Sequence, residues 1–124
     1  MATYVDGFVI PIKKKNLPAY RKLAKLGAKV WMEHGALQYV EAVGDELKTK
    51  MLGAPFPKMA KLKAGETLVF SFIMYQSKAH RNRVNAAAMK DPRLAALCDP
   101  KKMPFDMKRL AMGGFKSLVE AAKR

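Results

Sequence analysis

A chain of 124 residues has room for one domain with a single core, residues 1–124 taken together. No apolar run approaches the roughly 20 residues needed to cross a bilayer. The segment before Tyr4 lacks a secretion-signal pattern, and the lone Cys98 cannot form an intramolecular disulfide, so a cytoplasmic protein with no membrane partner is expected. The balance of 24 Lys+Arg against 10 Asp+Glu gives a formal charge of +14, a field that draws nucleic acid, anionic surfaces or acidic small molecules. The cations are spread over Lys13 to Lys15, Lys22, Lys25, Lys29, Lys61, Lys63, Lys101, Lys102 and Lys108. That breadth favours solvated faces over one dedicated nucleic-acid stripe, because specific binders cluster their charge.

The first predicted strand is Tyr4 to Ile12, rich in β-branched and aromatic residues. Asn16 is placed to cap a helix that has Pro18 just inside its start and Gly35 after its last turn near His34. Tyr20, Leu23, Ala24, Gly27, Val30, Trp31 and His34 share one face of that helix, with Arg21, Lys22, Lys25, Lys29 and Glu33 opposite. A second strand, Leu37 to Val43, stops at Gly44-Asp45. The connection from Glu46 to Gly65 is too long for a hairpin and is expected to hold a helical turn near Lys58 to Lys61 or to fold over a site. Thr67 to Tyr75 is the third and most apolar strand. Ser77 caps a second helix that ends before Asp91-Pro92, with His80, Val84, Ala87 and Ala88 facing inward. Arg93 to Leu97 can add one helical turn, and the last strand is about Leu110 to Leu118.

The order β-α-β-β-α-β predicts an α+β, ferredoxin-like domain: a four-stranded antiparallel sheet with its helices on one face. Tyr4, Phe8, Ile10 and Ile12 alternate with Val5 and Val9, while Leu68, Phe70, Phe72 and Met74 alternate with Val69, Ile73 and Tyr75. Both faces of the central strands are therefore apolar, yet two helices cover only one. A monomer rarely leaves such a face open, so a homodimer through the open sheet face is expected.

No metal or cofactor motif is present, neither H-E-x-x-H nor C-x-x-C, and none is expected to bind. Asp6 interrupts the apolar face of the first strand. On a face buried by dimerisation, a carboxylate needs a partner or a raised pKa, which makes Asp6 a candidate general base. Glu41 interrupts the second strand between Tyr39 and Val43; on an edge strand, a salt bridge to a surface cation is its expected fate. His80 sits beside small side chains that leave space for a pocket, and His34 lies at a helix C-terminus, where the dipole favours its charged form. Asp6, His80 and His34 are thus the candidate catalytic residues. Trp31, Tyr75 and Glu41 are the candidate ligand-binding residues, Trp31 also serving as a core anchor.

The third strand bears comparison with an RNA-recognition pattern, since Phe70, Phe72, Ile73 and Tyr75 match it. Leu68, Val69 and Ser71 depart from its basic and small positions. Buried under helices or between sheets, these rings are not expected to stack on bases. RNA binding through the basic surface is accordingly the second reading.

The segments Tyr4-Val5-Asp6-Gly7-Phe8-Val9, Tyr20-Arg21, Trp31, Glu33-His34-Gly35-Ala36-Leu37, Ala79-His80-Arg81, Asp91-Pro92-Arg93 and Met103-Pro104-Phe105-Asp106 together resemble the YbaA-like family of small bacterial proteins of unknown function. The resemblance spans nearly the whole chain and implies the dimeric α+β barrel superfamily, in which two ferredoxin-like sheets close on each other. That superfamily holds cofactor-free monooxygenases, haem-degrading enzymes, isomerases and stress-related proteins. No activity or catalytic residue comes with the family itself. The function expected is binding, or cofactor-independent conversion, of a small anionic or aromatic molecule in a pocket between sheet and helices, lined by Asp6, Trp31, His34 and His80. A non-catalytic stress or interaction role is a further alternative.

Overall fold

The computed structural model describes residues 3–48, 53–97 and 99–123, so Cys98 lies outside the described residues. Four strands, β1 (Tyr4–Lys13), β2 (Gln38–Val43), β3 (Glu66–Tyr75) and β4 (Ala111–Lys116), form one sheet in the order β2-β3-β1-β4, every neighbouring pair antiparallel. Helix α1 (Leu17–Glu33) joins β1 to β2, the short α2 (Phe56–Met59) lies in the long connection, and α3 (Lys78–Met89) with α4 (Pro92–Leu97) follows β3. The sheet is ferredoxin-like, as the order of elements predicts.

Local signals set most of the boundaries. The Ser77 hydroxyl accepts from the His80 backbone N–H at 3.1 Å and caps α3. Gly35 ends α1 at φ 114°, a left-handed conformation that a side chain resists. Asn16 differs from expectation. It sits at the N-cap position of α1, but its side chain makes no cap bond and instead donates to the Pro104 carbonyl at 3.0 Å, tying the helix start to the segment before β4.

The pairing register settles the two faces. Tyr4, Asp6, Phe8, Ile10 and Ile12 of β1 share the helix side with Ser71, Ile73 and Tyr75 of β3. Two buried clusters fill that side. Ile10, Ile12, Tyr20 and Val69 form one, and Ala36, Ile73, Tyr75 and Val84 form the other, with Trp31 and Tyr39 packed against it. Asp6 therefore lies under the helices and not on a face left for a second sheet, correcting the setting expected for it. The opposite face carries Val5, Val9, Val40, Ala42, Phe70, Phe72 and Phe115, all uncharged. Phe70 is 49% exposed and Phe115 61%, so within a single chain these rings are open to water. Among the described residues, the long connection covers one end of that face. There Leu47 and Phe56 of the long connection approach Val9, Leu68 and Phe70 across a small cleft, so the connection reaches over the open face at these two residues.

Candidate functional site

Three polar clusters hold the residues singled out by sequence, His80 excepted. The first is buried between β1, β3 and α3. Arg81 Nη1 donates to Asp6 Oδ1 at 3.2 Å, and Asn85 Nδ2 approaches Asp6 Oδ2 at 3.4 Å. Asn85 Oδ1 in turn accepts from Trp31 Nε1 at 2.9 Å and from the Tyr75 hydroxyl at 3.0 Å. The Arg81 guanidinium lies 4.8 Å from the Tyr4 ring centroid and donates to the Tyr4 hydroxyl at 3.3 Å. Burial, followed by the Asp6 charge, raises the Tyr75 pKa, so the phenol keeps its proton and donates. Asp6 is 4% exposed, and each of its oxygens accepts one hydrogen bond from α3. The cluster locks α1, α3 and the sheet together, with Asp6 as its anchor.

The second cluster sits at the floor of an open groove of about 1050 Å³ between α1 and the edge strand β2. The Tyr20 hydroxyl donates to Glu41 Oε1 at 2.6 Å, and the Tyr39 hydroxyl to Oε2 at 2.8 Å. Glu41 makes no salt bridge among the described residues, so the surface ion pair expected for it is replaced by two phenols. Burial is the largest cause raising the pKa of both tyrosines, and the Glu41 carboxylate adds to it. Gly27 makes this arrangement possible: a Cβ on it would fall 2.9 Å from the Tyr39 hydroxyl oxygen. The groove walls are apolar, from Leu17, Ala24 and Ala28 on α1 to Val43 and Val69 on the sheet, and Arg21, Lys22 and Lys25 stand at its rim.

The third cluster ties the end of α1 to α4. His34 Nε2 lies 3.0 Å from Asp91 Oδ2, and Arg93 holds the same carboxylate through Nε at 3.0 Å and Nη2 at 2.8 Å. Arg93 also bridges to Glu33 at 2.7 Å. Hydrogen bonds from Arg93, then from His34, hold the Asp91 carboxyl well below the usual carboxylate range.

The pocket expected around Asp6, Trp31, His34 and His80 is not assembled as such. Asp6 and Trp31 meet through Asn85, and Tyr75 joins them, but His34 belongs to the α1–α4 tie. His80 Nδ1 accepts from the Gln76 backbone N–H at 3.0 Å, and its ring stands edge-on to Tyr75 at 6.0 Å, an arrangement of the α3 N-terminus. Among the described residues no three metal-ligating side chains come together, and no helix is long and apolar enough to cross a membrane. The residues that sequence reasoning passed over are the partners: Arg81 and Asn85, one helical turn apart on α3, Tyr20 for Glu41, and Asp91 for His34. Tyr39 was within reach, because residues i and i+2 share a strand face and so place it beside Glu41.

Residues 3–107 match the family described as "Protein of unknown function (DUF1428)". The chain belongs to this family. It is 37% identical over 117 residues to the uncharacterized protein YbaA of Escherichia coli strain K12, covering 94% of this chain and 97% of the relative, and equally to YbaA of Shigella flexneri. The YbaA-like resemblance carried by the sequence motifs is thereby borne out. Among solved structures, a dimeric ferredoxin-like protein from an uncultured marine organism aligns over 99% of this chain and 100% of its own at a TM-score of 0.49 and 11% identity. The DUF1428 family carries no described chemistry, so the case for function rests on the groove and the open sheet face.

Proposed function

We propose that two copies of this chain pair through their open sheet faces, and that each binds a small anionic or aromatic molecule in the groove between α1 and β2. The groove carries the reading. At about 1050 Å³ it is ample for a ligand of ordinary size, with apolar walls and a few convergent polar groups, the usual make-up of a small-molecule site. Its rim of Arg21, Lys22 and Lys25 favours a negatively charged guest. The pairing is supported by the apolar stretch of the open face bearing Phe70, Phe72 and Phe115, a surface that monomers seldom leave in water.

A thermal-shift titration with anilinonaphthalene sulfonate, an aromatic anion, tests the groove. Saturable stabilisation is expected, reaching about 2.7 kcal/mol at a hundredfold excess over the dissociation constant. Ala28→Trp fills the groove from α1 and should abolish the shift while leaving the circular dichroism spectrum intact. A shift that survives Ala28→Trp places the ligand elsewhere. Light scattering tests the pairing: a particle of 13.8 kDa at micromolar concentration is the result that would refute it.

A further inference from the structure

The polar groups of the groove are separated by sign, and that separation specifies a ligand. Among the described residues, Glu41 is the only carboxylate in the lining. Each of its oxygens accepts one phenol hydrogen, and a carboxylate offers about four lone-pair sites, so acceptor capacity remains. The lining cations Arg21, Lys22 and Lys25 all lie on exposed positions of α1 and make no salt bridge among the described residues, to Glu41 or to any other acid. Between floor and rim the walls are the apolar side chains of Leu17, Ala24, Ala28, Val43 and Val69. One groove thus presents a donor-binding group, anion-binding groups that are not paired with it, and apolar surface.

We infer that the groove takes a flat apolar acid with a hydrogen-bond donor at the end away from its carboxylate, such as a hydroxyaryl carboxylic acid. The donor meets Glu41, and the carboxylate meets Arg21, Lys22 and Lys25. Tyr20 and Tyr39, which also line the groove, hold the Glu41 carboxylate, so its orientation is set before the ligand arrives, and little ordering remains to oppose binding. Discrimination comes from the floor. A site built to accept a donor rejects the analogue that lacks one, because its apolar end displaces water from the charged acceptor and leaves that acceptor's hydrogen bond unmade.

This inference rests on the groove reading above, and the experiment separates the two. Calorimetric titration of the intact protein at near-physiological salt compares a hydroxynaphthoate bearing its two groups on opposite rings, the naphthoate lacking the hydroxyl, and the naphthol lacking the carboxylate. The hydroxynaphthoate is expected to bind tightest, with the naphthoate weaker by roughly tenfold, the scale of a hydrogen bond to a charged group. The naphthol should be weaker as well. Glu41→Gln should erase the advantage of the hydroxyl, and the triple variant Arg21→Gln, Lys22→Gln, Lys25→Gln should erase that of the carboxylate without changing affinity for the naphthol. Equal affinity for naphthoate and hydroxynaphthoate, or tightest binding by the neutral naphthol, overturns the inference and leaves a groove that binds aromatics. Binding by none of the three overturns the groove reading too. The three-ligand comparison needs only the parent protein, so it stands even if Glu41→Gln fails to fold.

Discussion

Replacing Asp6 by alanine removes the anion around which Arg81 and Asn85 are arranged. Unit charges 3.2 Å apart attract by about 5 kcal/mol at an effective dielectric of about 20, and desolvation of both groups offsets part of that in the parent protein. Losing one partner of a buried pair typically costs about 3–5 kcal/mol, because the remaining charge keeps its desolvation penalty. The Asp6 side chain is 6% exposed and that of Arg81 21%, so a stranded Arg81 can turn partly toward water. The expected cost of Asp6→Ala is therefore at the low end, about 3 kcal/mol, which for a domain of this size lowers the melting temperature by about 10 °C. Urea unfolding followed by circular dichroism measures it directly. The double variant Asp6→Leu with Arg81→Met removes both charges and should recover all but about 1 kcal/mol, since an apolar pair of similar volume can replace a buried ion pair. If Asp6→Ala stays within about 0.5 kcal/mol of the parent, or the double variant is worse than either single change, Asp6 does not anchor the cluster and its role as a structural lock is refuted.

In an exposed helix Gly27→Ala would be expected to stabilise by about 1 kcal/mol; here the new Cβ, 2.9 Å from the Tyr39 hydroxyl oxygen, should push that phenol off Glu41 and make the variant no more stable than the parent. In a Tyr39→Phe background the same change should stabilise, and thermal melts of the four proteins decide it. Hydrogen bonds from Arg109, then from the Lys63 backbone N–H, lower the Glu66 pKa from 4.5 to about 2. Because the folded-state value is the lower one, the stabilisation is complete above about pH 4.5 and is lost as pH falls through about 2; the urea midpoint should drop across that window, and Glu66→Gln should flatten the drop. Phe72→Glu places a charge on the face proposed to pair and should yield a folded monomer by light scattering, whereas an unchanged dimer would move the interface elsewhere.

The elements and their order were legible in the residues alone. Alternation in β1 and β3, the Ser77 cap, Gly35 at a left-handed turn and the Pro92 boundary are local features whose physics lies within a few residues. That Glu41 and Tyr39 share one face of β2 follows from the same alternation. The choice of which face the helices cover was not local, because β1 and β3 are apolar on both sides and period-two patterning then carries no preference. Only packing put Tyr4, Asp6 and Phe8 inward and left Phe70 and Phe115 outward. The partners of Asp6 lie 75 and 79 residues away on α3, and Tyr20 reaches Glu41 from another element. Pairings at that separation depend on how α1 and α3 settle on the sheet. The groove itself exists because α1, kept close by Gly27 beside Tyr39, still leaves the edge of β2 uncovered, a property of the spacing between elements and of no single segment.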